Sequence, residues 1–350
     1  ERLVQKPEFK HLAPNLPLAG LLHDAGNPPF SHTGDWFMAD AIGHSGETRL
    51  GEMLGDSAFA TALRRLGGDL NIVAGLTAGT FKPWSDLLAG SLDLDNIDNI
   101  CRYGRMQGLL RGWKDYNPRL LADAFRVSPE GDAIELDRSA KDEISKWLAA
   151  RRTVYESVYS DPHLTMAMML HRAVEIAYTA GELPLSFWNL TDTGAIRHLR
   201  NGCNGGTRQL VEDLERFRPY ECVADWRGDT LEQFEPAHWR NWRVRKAIAD
   251  MLAEVSAMEK WEALVYFGHG KDHRRITLPL RGAGGTESVD GLGLMEIYRI
   301  RLYLRRPPPS AVTLMLKDVP AFCRLAIAER LPEFARPACS SKERATAPGF

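Results

Sequence analysis

Long apolar runs are missing from this chain. No stretch of its 350 residues approaches a membrane span, and no signal-peptide pattern is visible, so neither a membrane helix nor a membrane partner is expected. Cysteine is scarce: Cys101, Cys203, Cys222, Cys323 and Cys339 are odd in number, scattered, and never in a C-x-x-C arrangement. That argues against a disulfide framework or a zinc knuckle and leaves reduced thiols in a cytoplasmic protein as the expectation. An excess of one charge sign is also absent. The 44 Lys and Arg against 46 Asp and Glu give a net charge of -2, so no global basic field points to nucleic acid, although a local basic groove stays open. Repeats and low-complexity tracts are lacking too. What remains is ordinary globular composition, 44% hydrophobic and 26% charged, enough for one large or two modest domains.

Periodicity predicts a mainly α protein with a smaller C-terminal α+β portion. Leu12 to Leu22 reads as the end of a buried helix, Gly26 to Pro29 as a turn, and Gly34 to Ile42 as a helix. Thr48 to Leu54, Phe59 to Leu66 and Leu87 to Leu110 follow as helices, the last with Leu94, Ile97 and Cys101 at helical spacing. A short strand is predicted over Ala133 to Leu136. Ser139 to Thr179 reads as helix interrupted near Asp161-Pro162, and Phe187 to Leu199 as a short helix with Asp192 as its cap. Beyond Asn201 to Gly206 the character changes. A helix over Arg240 to Glu259 precedes three segments rich in β-branched and aromatic residues, Trp261 to Phe267, Arg275 to Leu280 and Glu296 to Tyr303, which suggest a small sheet. Val319 to Arg330 is a last helix. The expected divisions are residues 1–200, 201–340 and a tail at 341–350.

The densest chemistry lies in His23-Asp24-Ala25-Gly26-Asn27-Pro28-Pro29-Phe30-Ser31-His32-Thr33-Gly34-Asp35. An adjacent His-Asp pair puts an imidazole nitrogen and a carboxylate within reach of one divalent cation, a donor set suited to first-row metals and magnesium-like ions. His32 and Asp35 form a second pair, an acid/base candidate at i,i+3 spacing. Asp35 as an N-cap for the following helix is the plainer alternative. A third acidic group, Asp93, Asp95 and Asp98, studs an otherwise apolar helix. Such acids are costly to bury unpaired, so a metal or a basic partner is expected there unless they form a solvated face.

The segment HDAGNPPFSHTGD resembles the signature of the HD-domain phosphohydrolases, and more narrowly that of the dGTP/dNTP triphosphohydrolases, HD-x-G-(H/N)-x-P-F-(G/S)-H-x-x-(D/E). The resemblance implies an HD-type helical bundle, a divalent metal ion (Mg, Mn, Fe, Co or Zn) on His23, Asp24 and Asp95, and His32 backed by Asp35 beside the scissile phosphate. Asp95 is placed by the likeness of Asp93-Leu94-Asp95-Asn96-Ile97-Asp98-Asn99 to the family's D-V-D-K-x-D-Y helix, where Asp93 becomes a supporting or capping group. The family's further histidine ligand lies well upstream. His11 is too close to match it, so that ligand is expected to precede Glu1, with a naturally metal-free relic as the rival reading.

Other patches of resemblance supply substrate contacts. Asn27 can donate to a phosphate oxygen. His44, in Gly43-His44-Ser45-Gly46-Glu47-Thr48, resembles a phosphate-contacting histidine. Arg151 to His163 resembles an R-x-x-x-Y-x-x-V-Y-x-H helix, from which Arg152, Tyr155, Tyr159 and His163 are taken as contacts to phosphates and sugar. Arg102 survives from the family's D-Y-x-x-R-D segment as a phosphate or loop partner. Departures at Asn96, Asn99 and Tyr103 fall on family positions that touch phosphate and deoxyribose, so the metal chemistry carries over better than the substrate. The implied reaction is cleavage of a dNTP to deoxynucleoside and triphosphate. The alternatives are an HD phosphatase or phosphodiesterase on another nucleotide, and a non-catalytic module binding nucleotide or single-stranded nucleic acid. A homo-oligomer is expected, as is usual among such enzymes.

Overall fold

A computed structural model describes residues 7–55, 57–228, 234, 241–269, 276–282, 285–287 and 298–334. The N-terminal part is helical, as expected. After a 3-10 turn at Pro7–Leu12 come α1 (Asn15–Leu22), α2 (His32–Ile42), α3 (Gly46–Leu54), α4 (Ala58–Arg65), α5 (Leu70–Thr77), α6 (Asp86–Ala89), α7 (Leu94–Met106) and α8 (Pro118–Asp123). Side-chain caps explain where several of them start. Ser45, Ser57, Asp69, Asp93 and Asn117 each accept hydrogen bonds from amides of the first turn. The Asp93 cap begins α7 at Leu94, so the expected helix over Leu87 to Leu110 is shorter and follows a separate turn of helix, α6.

A hairpin of β1 (Phe125–Val127) and β2 (Ile134–Asp137) leads into α9 (Lys141–Val158) and α10 (His163–Thr179). The break between these helices falls at Asp161-Pro162, because a proline ring denies the helix a hydrogen bond and a carbonyl its space. Then come α11 (Asp192–Gly202) and α12 (Gly205–Glu215). Thr191, not Asp192, caps α11 by accepting from the Gly194 amide. Gly205-Gly206, where the character of the sequence changes, opens α12. Asn204 caps that helix, and Gly206 is needed because a Cβ there would lie 2.8 Å from the Trp261 ring.

The C-terminal portion contains β3 (Glu221–Gly228), α13 (Trp242–Val255), β4 (Ala263–His269), β5 (Leu280–Gly282), β6 (Gly285–Glu287), β7 (Tyr298–Leu304), α14 (Ser310–Met315) and α15 (Val319–Arg330). One antiparallel sheet has the order β3-β7-β4. Strand alternation divides its side chains. Val265, Phe267, Ile300 and Leu302 share a core with α13 and α15. Leu264, Tyr266 and Tyr303 share the opposite core with Phe37 and Met38 of α2 and with α10. A second sheet, β1-β2-β5-β6, joins the two portions, with Leu136 of β2 paired in parallel to Leu280 of β5. The tail at 341–350, Cys339, Arg275, Glu296 and Ile297 lie outside the described residues. Cys101, Cys203, Cys222 and Cys323 are free thiols. Among the described residues no helix is long and apolar enough to cross a membrane.

A buried charge cluster ties α10 to α13. The Arg172 guanidinium bonds both Glu175 and Asp250, and Lys246 donates to Asp250 at 2.5 Å. Burial, against the pull of Arg172, pushes Glu175 up from 4.5 to about 7. A carboxyl raised on folding binds a proton that the unfolded chain has already lost. Its contribution to stability is therefore fully present below 4.5 and gone above about 7. Thermal melts of wild type and Glu175→Gln across that window should show the wild-type Tm, relative to the variant, falling as pH rises. A difference that stays flat or grows with pH contradicts the assignment.

Candidate functional site

The signature loop is built by a hydrogen-bonded turn with unusual backbone. His23 closes the C-terminus of α1, and the Asn27 amide donates to the Asp24 carbonyl at 3.1 Å. Phe30 and Ser31 take positive φ values of 66° and 52°, rare for residues with a Cβ and worth about 1–3 kcal/mol of strain each. The Asp192 carboxylate holds this conformation by accepting from the Phe30 amide at 2.8 Å. The chain then enters α2 at His32. Gly26 sits where a Cβ would lie 2.1 Å from the Gly46 carbonyl oxygen, so the loop and the start of α3 touch backbone to backbone. Gly26→Ala should therefore displace the loop from α3 and cost about 1–3 kcal/mol, measured by denaturant unfolding. An unchanged midpoint would show that this contact is slack.

His23 lies half-buried between two carboxylates. Its Nδ1 donates to the Gly20 carbonyl at 2.8 Å, which fixes the tautomer and turns Nε2 toward the acids. Nε2 is 3.4 Å from Asp24 Oδ2 and 3.4 Å from Asp95 Oδ1, yet it makes no hydrogen bond. The Asp95 carboxylate beside it pushes His23 up to about 9, and His23 in turn holds Asp95 below the usual carboxylate range. Asn27 donates to Asp24 Oδ1 at 2.9 Å, leaving Oδ2 for the His23 side, and to Ser31 Oγ at 3.1 Å. This is the outer support that metal-binding carboxylates normally have. Among the described residues, no group of three or more His, Cys, Asp or Glu side chains forms a closed metal-holding set; the pairs centred on His23 are what is in place. An imidazole nitrogen facing two carboxylates fits a divalent cation by donor type.

His32 and Asp35 stand next to this centre. His32 Nδ1 is 3.8 Å from Asp35 Oδ2, with the imidazole exposed. Asp35 does not cap α2. Its Oδ1 accepts from the Gly46 amide at 2.8 Å, at the positive end of α3. The His32 charge acts on Asp95, so the two pairs share one electrostatic neighbourhood. Glu47 belongs to it as well. Burial, then the nearby Asp35, push its carboxyl up, while His32 pulls the other way. Glu47 was not singled out from the sequence, where the segment Gly43 to Thr48 drew notice only for His44. Arg102 pairs with Asp98 at 3.1 Å, and its charge reaches Asp95.

The remaining predicted contacts divide. On α9, Tyr155 and Tyr159 stack with centroids 5.8 Å apart. Arg152 points elsewhere, to an exposed pair with Glu156 at 3.0 Å. Its neighbour Arg151 is the buried one. It lies 4.3 Å from the Tyr155 ring and donates to Asn96 Oδ1 at 2.8 Å, beside Asp95 in sequence. Helical spacing could have found this, since 151, 155 and 159 form one stripe and 152 is about 100° away. His44 pairs with Glu52 at 3.3 Å, and His163 Nδ1 donates to the Ser157 carbonyl at 3.2 Å. Neither makes a contact with the His23 group.

No protein-family model matches the chain. Similarity reaches two curated proteins, both described as uncharacterized. One is YwfO of Bacillus subtilis, 27% identical over 197 residues, covering 53% of this chain and 44% of that protein. The other is MJ1154 of Methanocaldococcus jannaschii, 24% identical over 225 residues, covering 62% of this chain and 45% of that protein. The chain thus spans less than half the length of these relatives.

Proposed function

We propose that the chain carries an HD-type, metal-dependent phosphohydrolase site that cleaves a nucleotide phosphoester, with a dNTP going to deoxynucleoside and inorganic triphosphate as the leading reaction. The observation that supports it most is the convergence of His23 Nε2 with the carboxylates of Asp24 and Asp95, 3.4 Å from each, with the His32–Asp35 pair alongside. The likeness of the loop to the HD signature points the same way. His23, Asp24 and Asp95 would hold the divalent ion (Mg, Mn, Fe, Co or Zn), which when bound polarises a phosphoryl oxygen and lowers the pKa of a water. His32, kept by Asp35 and exposed to the site, gives a proton to the leaving oxygen or fixes a phosphate. Arg102 and Arg151 offset phosphate charge. Tyr155 and Tyr159 give an apolar wall for the sugar. Asn27 acts by orienting Asp24. A cytoplasmic homo-oligomer with no membrane partner completes the reading.

The natural full-length protein assayed against dNTPs, nucleoside monophosphates and cyclic nucleotides, with inorganic triphosphate monitored, tests this. Triphosphate from a dNTP supports it. Phosphate from a monophosphate, or opening of a cyclic nucleotide, moves the substrate while keeping the chemistry. The absence of a closed three-donor set among the described residues favours a second reading, a non-catalytic module binding nucleotide or single-stranded nucleic acid. Binding without turnover, in a protein that holds no stoichiometric metal, would select it.

A further inference from the structure

The described buried and half-buried arginines mostly have a carboxylate or amide partner. Arg172 has Glu175 and Asp250, Arg299 and Arg301 share Asp225, and Arg49 and Arg151 bond Asn189 and Asn96. Arg245 of α13 differs. Its Nε donates to the Phe267 carbonyl at 3.1 Å, and its guanidinium carbon lies 4.0 Å from the Trp36 ring centroid. Among the described residues no carboxylate is within ion-pair distance of it, and its terminal nitrogens have no hydrogen-bond partner. The nearest acidic influence, Glu175, is already bonded to Arg172. Burial pushes Arg245 down to about 10, as befits a cation lacking a counter-charge. It also helps, after burial, to hold the adjacent His171 neutral, whose Nε2 is buried without a partner.

The position of Arg245 is what gives this meaning. Two side-chain tracks end at it, one starting from the His32–Asp35 pair and one from Arg151, whose partner Asn96 adjoins Asp95 in sequence. On α2, His32, Asp35 and Trp36 share one face by i,i+3 and i,i+4 spacing, and Trp36 lies under Arg245. On α9, Arg151, Tyr155 and Tyr159 run about 12 Å along the helix. Tyr159 then meets Tyr266 of β4 at 5.7 Å, and both tyrosines act on Arg245. One end of the tracks is acidic and carries the cation-type donors. The other is aromatic and carries a single unneutralised guanidinium.

Resting on the phosphohydrolase reading above, we propose that Arg245, backed by Trp36 and Tyr159, is the specificity-determining group that reads the nucleobase, and that it selects guanine. Phosphates belong at the His23 end, with Arg102 and Arg151. A planar base suits the aromatic end, where any base can stack. Selection then falls to the guanidinium. Its parallel donors match the paired O6 and N7 acceptors of guanine, whereas adenine offers a donor beside its acceptor.

The test is hydrolysis of dGTP, dATP, dCTP and dTTP by full-length wild type, Arg245→Met and Arg245→Lys, with metal content and Tm of each measured. The proposal expects wild type to prefer dGTP. Arg245→Lys should keep the fold and metal while losing about 10- to 100-fold in kcat/KM for dGTP, with dATP changed little, because lysine keeps the charge but not the fork. Arg245→Met, where folded, should show the same levelling. Unchanged base selectivity in Arg245→Lys overturns the proposal and leaves the phosphohydrolase reading intact. An equal loss for all four bases also overturns it, since a structural or phosphate-binding role acts on all alike. Wild type inert toward every nucleotide overturns the phosphohydrolase reading itself.

Discussion

Asp95→Ala should lower kcat/KM for nucleotide hydrolysis at least about 1,000-fold, or about 4 kcal/mol of transition-state stabilisation, while the protein stays folded. Among the described residues, Asp95 is the side chain outside the signature loop that lies within ion-pair distance of His23 Nε2, at 3.4 Å. Without it a cation keeps one imidazole and one exposed carboxylate on adjacent residues, too few for a tight site. The fold does not depend on it. Helix α7 is capped by Asp93 and anchored by buried Ile97, Ile100 and Cys101. Asp98→Ala, three residues on, removes an exposed pair with Arg102 and should leave turnover within a few-fold. Steady-state kinetics and thermal melts of both variants check this. Asp95→Ala as active as Asp98→Ala would exclude Asp95 from the site.

His32→Ala should cost about 100- to 10,000-fold in kcat, with metal content and Tm near wild type. His32 is exposed, and its described contact is Asp35 at 3.8 Å, so truncation removes little packing. Asp35→Ala is different. Asp35 also accepts from the Gly46 amide at the start of α3, so its loss should lower both kcat and Tm. The split between the two variants is the diagnostic. Equal Tm losses would make the His32–Asp35 pair a structural clamp, and a His32→Ala enzyme with normal kcat would remove His32 from the chemistry.

Much of the N-terminal part was legible because its signals are local. The helical period, the cap at Asp93 and the proline after Asp161 each act within a few residues, and Val319–Arg330 folds as read. The dense histidines and aspartates of the signature loop marked residues that the fold does gather. The rest depends on distance. Nothing near Phe30 announces its left-handed backbone, since the Asp192 carboxylate that holds it is 162 residues away. The pairing of β5 with β2 likewise joins segments from the two portions, and a short strand alone does not name its partner. β3, with mostly half-buried or exposed residues, lacks the density of β-branched and aromatic residues that marked its neighbours. Arg151 was missed by one position, although its i,i+4 spacing to Tyr155 puts it on the stripe that faces Asn96. Arg245 was invisible, for a lone arginine on an amphipathic helix reads as surface until Trp36 is placed beneath it.

The most direct measurement is a crystal structure of the natural full-length protein soaked in manganese, with an anomalous difference map. The account predicts a single strong peak about 2–2.3 Å from His23 Nε2 and from carboxylate oxygens of Asp24 and Asp95. A map with no peak there, or with Asp95 turned away to bond another group, contradicts it.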